Sequence, residues 1–280
     1  MIQIIAADMD GTLLDETGFI TENTKKMIDD LNKSGVFVVP ATGRCWDEIP
    51  DEMNNMKGIQ YAILANGARI VDLKNDKTLY INTLELKNVL PLLTIIIEND
   101  LSYDFVSEGS VFIDECFMED VLHNYKAAGK GFSWMPERYR FVKNLPAEAS
   151  SRNMKLEKIS IRRILPEKME VLKHFFSEYP ELTVTSYVFR PGEPITLEIG
   201  PEGCTKGQAL KTLCSMLEFD MANAMAIGDG YNDVSMLSVA GFGVAMGNAV
   251  EEVKAVADYV TLSNKQEGAT LALRKFVLTQ

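Results

Sequence analysis

The chain has 280 residues, 46% of them hydrophobic and 24% charged, and its 40 Asp and Glu outnumber 28 Lys and Arg to give a formal net charge of −12. This composition excludes a disordered or fibrous protein, and the length predicts one large or two moderate domains. Because nucleic acids and membrane surfaces attract basic proteins, an acidic chain without a basic run argues against both partners and favours small-molecule chemistry.

The first 82 residues alternate between strand and helix patterns. Apolar residues at helical spacing predict a helix over 25–31. Apolar or β-branched runs predict the strands of this region, which are 2–7, 36–39, 61–65 and the hairpin pair 68–73 and 78–81. Strands that alternate with helices are typical of a parallel sheet with crossover connections.

The pattern changes between residues 83 and 190. Helical spacing predicts helices over 86–97, where Pro91 must kink the helix or lie in its first turn, and over 166–179. The predicted strands are 102–106 and 110–113, which form a hairpin, followed by 158–161, 182–187 and 194–199. This region is therefore predicted to be an α+β unit, an antiparallel sheet with helices on one face.

Strand and helix alternate again after residue 200. The predicted elements are the helix 206–217, the strand 224–227, the helix 232–239, the strand 242–245, the helix 250–257 and the strand 259–260. We therefore expect an α/β protein with a Rossmann-like, doubly wound parallel-sheet core, formed by residues 1–82 and 191–280. An α+β cap at 83–190 interrupts this core.

Two carboxylates, Asp8 and Asp10, follow the first predicted strand directly. Ligands of open α/β sheets bind at the carboxyl ends of the strands. Acids at this spacing repel each other unless a cation or a proton lies between them, and their hard oxygen atoms suit Mg²⁺. The motif alone leaves a metal site, a phosphate site and an ordinary Asp-Gly turn open.

Three further motifs carry the parts of an anion or metal site. Residues 41–44 follow a strand and offer a hydroxyl and a glycine amide, although such a loop is also common without a ligand. Lys206 opens a helix, where its charge opposes the helix dipole unless it binds an anion. Residues 228–233 add two acids and an Asn after another strand. Together with Asp8 and Asp10, these motifs predict one site.

The four motifs, in this order, resemble those of the haloacid dehalogenase superfamily of phosphotransferases. They correspond to the family's motifs as follows: 8–12 to the first (DxDGT), Thr42 to the second, Lys206 to the third and 228–233 (GDGYND) to the fourth. The insertion between Thr42 and Lys206, Asn66-Gly67 and the tail at 243–249 resemble the Cof-like phosphatases with a type IIB cap.

The resemblance implies a mechanism with an aspartyl-phosphate intermediate. Asp8 would be the nucleophile, and Asp10 would act as general acid and then as general base. The implied phosphate-binding residues are Met9, Thr42, Gly43, Lys206 and Asn232. The implied Mg²⁺ ligands are Asp8, Asp229 and the backbone carbonyl of Asp10. Asp233 would support the site by orienting Lys206 or a metal-bound water.

The resemblance also implies that the cap recognises the leaving group of the substrate. Tyr187, Arg190 and Glu193 lie near the predicted return to the core and are our candidates for substrate contact. The implied substrate is a sugar phosphate or a similarly sized phosphorylated metabolite, of which flavin-pathway ribitylaminouracil phosphate is one example. The alternatives are a phosphosugar mutase of the same fold and a non-catalytic sugar-phosphate sensor.

The N-terminus predicts a cytoplasmic protein. It has no basic region, and Asp8 and Asp10 interrupt the apolar run that a signal peptide needs. No apolar stretch approaches the length of a membrane span. We expect a small phosphorylated metabolite as the partner, and a monomer or a weak homodimer as the assembly.

Overall fold

The computed structural model describes residues 1–119, 121, 135–187 and 195–278. It divides into two compact units. The core unit comprises Met1–Arg44, Ile49–Ile81 and Thr205–Gln280. The cap unit comprises Cys45–Glu48 and Asn82–Cys204.

The core unit contains a parallel sheet of five strands in the order β15-β14-β13-β1-β2. These strands are β1 (Ile4–Ala7), β2 (Phe37–Pro40), β13 (Ala224–Gly228), β14 (Phe242–Ala245) and β15 (Tyr259–Val260). Beyond β2, a parallel bridge between Ala41 and Ile63 leads to the antiparallel strands β3 (Tyr61–Leu64), β4 (Arg69–Asp72) and β5 (Lys77–Ile81). The predicted parallel core and its hairpin are confirmed.

The connections of this sheet locate the site. The chain runs outward from β1 to β2 and β3, returns to β13 beside β1, and then runs outward on the other side. The strand order therefore reverses between β1 and β13. In an open α/β sheet, the loops that leave such a reversal separate from each other and form a ligand-binding crevice.

Hydrophobic burial explains the elements of the core unit. All four residues of β1 are fully buried, as expected for the centre of a parallel sheet with both faces covered. In α1 the Thr21 hydroxyl caps the first turn, and Met27, Ile28 and Leu31 form the buried face. The helices are α1 (Glu22–Lys33), α2 (Asp51–Asn54), α7 (Lys206–Met216), α8 (Val234–Val239), α9 (Glu251–Val256) and α10 (Gly268–Leu273).

The described part of the cap unit contains a separate sheet in the order β11-β12-β10-β7-β8-β9, with β6 beside β10. Its strands pair antiparallel except for β8 with β9. They are β6 (Leu84–Glu85), β7 (Ser102–Ser107), β8 (Ser110–Asp114), β9 (Arg140–Val142), β10 (Lys155–Ile164), β11 (Thr183–Tyr187) and β12 (Ile195–Gly200). The predicted antiparallel sheet is confirmed.

Three described helices cover one face of the cap sheet. They are α3 (Leu86–Glu98), α5 (Leu145–Ser151) and α6 (Pro166–Glu178). The short helix α4 (Met135–Arg138) contacts Trp46–Glu48 instead. Alternate strand residues such as Phe105, Ile159 and Ile161 share one buried cluster with Leu92 of α3 and Leu172 of α6. No described helix has both the length and the apolarity that a membrane span requires.

The structure corrects the predicted extent of the cap, although the predicted start at residue 83 lies within one residue of the observed Asn82. Strand β12 pairs with β10 and β11, so the core resumes at Thr205 and not at residue 191. The predicted core segment 1–82 also contains five cap residues, which are Cys45–Glu48 and Asn82. In the first of these segments the Glu48 carboxylate accepts hydrogen bonds from the Tyr139 hydroxyl and from the Cys45 amide. Strand partners and buried contacts of this kind leave no local pattern in the sequence.

Candidate active site

The first, third and fourth motifs meet at one buried lysine. The Lys206 Nζ lies 2.5 Å from Oδ1 of Asp8 and 2.6 Å from Oδ1 of Asp233. Lys206 and Asp233 are both fully buried, and Asp8 is only 6% exposed. Lys206, at the start of α7, is therefore not a solvated surface lysine.

Asp8 is held at the strand-order reversal. Its backbone amide donates to the Ile227 carbonyl of β13 at 2.9 Å, which ties the end of β1 to the neighbouring strand. Burial raises the pKa of Asp8 well above its usual value, and the negative charges of Asp233 and Asp229 act in the same direction against the opposing effect of Lys206. Burial alone would lower the pKa of Lys206, but its two carboxylate partners raise it, so the ammonium form is favoured.

Asp229 lies at the end of β13 and adds a third carboxylate. It accepts hydrogen bonds from the Thr12 hydroxyl at 3.0 Å and from Asn248 Nδ2 at 3.1 Å. Burial and the nearby Asp233 raise its pKa to about 7. Gly11 lies directly against it, since a Cβ atom at that position would be 2.3 Å from Asp229 Oδ2, and its φ of +84° also favours glycine.

These carboxylates fit a divalent cation. Asp8, Asp229 and Asp233 each offer an oxygen atom, and the three atoms lie within 4.8 Å of one another. Asp233 makes the most contacts of the three, because its Oδ1 accepts from Lys206 and its Oδ2 accepts from the amides of Asp229 and Gly230. Hard carboxylate oxygens of this kind suit Mg²⁺, and the ligand roles of Asp8 and Asp229 stay a prediction.

The raised pKa values predict that stabilisation by Mg²⁺ depends on pH. Native Asp229 binds its proton more tightly than the unfolded chain does, so its contribution to the stability of the metal-free protein is lost as pH rises from about 4 to about 7. Mg²⁺ held at this site would bind the deprotonated form and would offset this loss. We expect a larger gain in melting temperature from Mg²⁺ over EDTA at pH 8 than at pH 6.

Thermal melts of wild type and Asp229→Asn at both pH values check this prediction. The Asn variant lacks the carboxylate and should gain little at either pH. An equal gain at pH 6 and pH 8, or an undiminished gain in Asp229→Asn, would contradict the assigned site.

The second motif reaches the same edge of the sheet through β2. Thr42 is 1% exposed, and its amide donates to the Ile63 carbonyl at 2.9 Å. Met9 and Gly43 follow the ends of β1 and β2, and the phosphate-binding role of their amides stays a prediction.

A loop that sequence reasoning left without a role links the second motif to the fourth. Asn66 donates its backbone amide to the Thr42 carbonyl at 3.0 Å and accepts from Asn232 Nδ2 at 3.0 Å. Ala65 and Asn66 both adopt positive φ angles, +48° and +55°. Non-glycine residues held at positive φ angles often mark functional sites. The signal available in the sequence was Asn66-Gly67 after the third strand.

Arg44 is a second residue without an assigned role. Its Nε lies 2.8 Å from Oδ2 of Asp10, and its Nη2 lies 2.6 Å from Oδ1 of the same carboxylate. The fork of the guanidinium therefore engages both oxygens of the predicted general acid and base.

The substrate-contact candidates of the cap stay predictions. Arg190 and Glu193 lie outside the described residues. Tyr187 ends β11, and its backbone pairs with Thr196 of β12.

The sequence matches the family of haloacid dehalogenase-like hydrolases over residues 5–273. A relative from Bacillus subtilis (strain 168), named 5-amino-6-(5-phospho-D-ribitylamino)uracil phosphatase YcsE, is 30% identical over 280 residues, which cover 99% of this chain and 96% of the relative.

Two solved structures show the same fold. A haloacid dehalogenase-like hydrolase from B. subtilis superposes with a TM-score of 0.84 at 24% identity, covering 99% of this chain and 100% of the other. The HAD subclass IIB sugar phosphatase BT4131 superposes with a TM-score of 0.80 at 24% identity, covering 98% of each chain. The predicted family and an enzymatic function are confirmed, because the match spans both units and all four motifs: the chain belongs to the haloacid dehalogenase-like hydrolases.

Proposed function

We propose that this protein is a Mg²⁺-dependent phosphatase that hydrolyses monoesters of small metabolites through a phosphorylated Asp8. The observation that carries the proposal is the buried contact of Lys206 with both Asp8 and Asp233. The two carboxylates keep the buried ammonium group charged, and an ammonium beside a strand-end nucleophile can donate to the phosphoryl oxygens on which negative charge develops.

The reaction divides into two displacements at phosphorus. A carboxylate oxygen of Asp8 attacks phosphorus in line with the leaving oxygen, the bond to that oxygen breaks, and Asp10 gives it a proton. Asp10 then takes a proton from water, the water oxygen attacks phosphorus, and Asp8 leaves as a carboxylate. Inorganic phosphate and the free alcohol are the products.

The remaining motif residues stabilise negative charge. Lys206, Thr42 and Asn232 donate toward the phosphoryl oxygens, where charge spreads in the transition state, together with the amides of Met9 and Gly43. Asp233 holds Lys206 in place through its 2.6 Å contact. Mg²⁺ bound to Asp8, Asp229 and the Asp10 carbonyl would offset the repulsion between the nucleophile and the phosphate.

Two relatives support phosphorylated sugars or sugar-like polyols as the substrate class. YcsE is named for a phosphoribitylamino compound, and BT4131 is described as a sugar phosphatase. Both names refer to a phosphate carried by a polyhydroxylated compound. We therefore place the substrate of this protein in that chemical class, and flavin-pathway ribitylaminouracil phosphate is one member to test.

Phosphate release across a panel of phosphorylated sugars, polyols, nucleotides and flavin precursors tests the proposal. We expect release with Mg²⁺ and at least about a hundredfold slower release with EDTA, because the metal offsets the anionic repulsion. Failure of the folded protein to release phosphate from any compound would contradict the proposal. Transfer of phosphate between two sugar positions without net release would instead identify a mutase.

A further inference from the structure

We propose that Arg44 is a positioning residue that fixes the Asp10 carboxylate for both of its proton transfers. The inference rests on the proposed phosphatase function and adds a role for the residue that ends the second motif. Arg44 acts through Asp10 and needs no contact with the substrate.

The geometry of the pair defines the orientation of the carboxylate. Two different nitrogens of Arg44 engage the two different oxygens of Asp10, at 2.8 Å and 2.6 Å. A bidentate guanidinium constrains the plane of a carboxylate as well as its position, which a single hydrogen bond or an ammonium group does not.

The side chains of Arg44 and Asp10 differ in their exposure to solvent. The Arg44 side chain is 7% exposed, whereas the Asp10 side chain is 49% exposed. The shielded guanidinium can hold the carboxylate from one side, and the exposed part of the carboxylate stays accessible to a leaving oxygen or to water. This asymmetry suits a support for a proton-transfer group, because it leaves the reacting oxygen reachable.

Arg44 is itself held by its backbone. Its amide donates to the Thr42 hydroxyl at 3.1 Å, and its carbonyl accepts from the Ala65 amide at 2.8 Å. Ala65 belongs to the loop with positive φ angles, and Asn66 of the same loop contacts Thr42 and Asn232. The position of Asp10 is therefore tied to the loops that carry the proposed phosphate-binding side chains.

The proposed chemistry requires this precision twice. Asp10 gives a proton to the leaving oxygen in the first displacement and takes one from water in the second, and both oxygens occupy the apical side of phosphorus opposite Asp8. A carboxylate free to rotate would present the wrong geometry for a large fraction of encounters. Misplacement by about 1 Å can cost on the order of a hundredfold in rate.

A double-mutant cycle on the purified full chain tests the proposal with an alkyl phosphate substrate. The variants are Arg44→Gln, Arg44→Lys, Asp10→Ala and Arg44→Gln combined with Asp10→Ala. We expect Arg44→Gln to lower kcat about 10-fold to 100-fold and to change KM less than about threefold. Arg44→Lys should show a smaller loss of kcat, because lysine keeps the positive charge but lacks the bidentate guanidinium. In the Asp10→Ala background, Arg44→Gln should cause no further loss.

The leaving group supplies a second readout. For p-nitrophenyl phosphate, whose leaving oxygen needs little protonation, the first displacement should survive in Arg44→Gln, so a burst of nitrophenol precedes slow turnover. In one further variant, Arg44→Gly, added guanidinium should restore part of the rate. A merely structural role would slow both displacements and would not respond to guanidinium.

Multiplicative losses in the cycle, or a loss confined to KM, would overturn the proposal and indicate direct substrate binding by Arg44. If wild type releases phosphate but the losses in the cycle multiply, the proposed phosphatase function stands and only the role of Arg44 is rejected. If wild type releases phosphate from no substrate, both proposals are rejected. Melting temperatures of all variants identify any that fail to fold, and Arg44→Lys then carries the comparison.

Discussion

Replacement of Asp8 by Asn is expected to abolish turnover and to leave the protein folded. An amide does not attack phosphorus, and removal of the nucleophile of a hydrolase lowers kcat by at least about 10⁴-fold. The fold should tolerate the change because burial disfavours a charged group at this position, as the raised pKa of Asp8 indicates. Phosphate release with the best substrate and a thermal melt measure the two effects.

The control for Asp8→Asn is Asp30→Asn on the surface of α1. Asp30 is 43% exposed and pairs with Lys33 outside the candidate site. The control makes the same chemical change and should keep activity within about twofold of wild type, as is usual for an exposed ion pair. An Asp8→Asn protein with activity within tenfold of wild type would contradict the nucleophile assignment.

Replacement of Lys206 by Met is expected to reduce both activity and stability. Loss of one donor to the phosphoryl oxygens costs about 10² to 10³ in kcat. The change also leaves the carboxylates of Asp8 and Asp233 buried without their shared cation. Removal of one partner from a buried ion pair costs about 3–5 kcal/mol, so urea denaturation should show a clear loss of unfolding free energy.

A second substitution separates the two effects of Lys206. Asp233→Asn combined with Lys206→Met removes one of the two uncompensated charges, so the double variant should recover part of the lost stability. It should not recover activity, because the phosphate donor is still absent. A Lys206→Met protein within about 1 kcal/mol of wild-type stability would contradict the importance of the buried pairs.

The sequence determined the local elements and the chemical types of the site residues. The apolar run before Asp8 predicted β1, and the same reading placed Thr42 and Asp229 after strands. These predictions succeed because strand and helix periodicities are local, and because the carboxyl ends of parallel strands share one edge. The resemblance of the four motifs then identified the family.

Contacts across long separations in the chain could not be predicted in this way. Lys206 and Asp8 are 198 residues apart, and Arg44 and Asp10 are 34 apart. Nothing in the local pattern around Arg44 indicates that its side chain meets Asp10, because the approach depends on how β1 and β2 pair in register. The link from Asn66 to Asn232 depends in the same way on the pairing of distant strands.

The cap boundaries show the same difference between what a local sequence pattern predicts and what tertiary contacts decide. The sequence by itself determined that residues near 195–200 form a strand, since the apolar pattern is local. Only the tertiary structure decided that this strand belongs to the cap sheet, because an antiparallel strand there satisfies its backbone hydrogen bonds with β10 and β11. In the same way, the contact of Glu48 with Tyr139 explains why Cys45–Glu48 belong to the cap unit. Lys206 was only a weak signal at the start of a helix in the sequence, and the tertiary structure shows that it lies buried between two carboxylates of the candidate site.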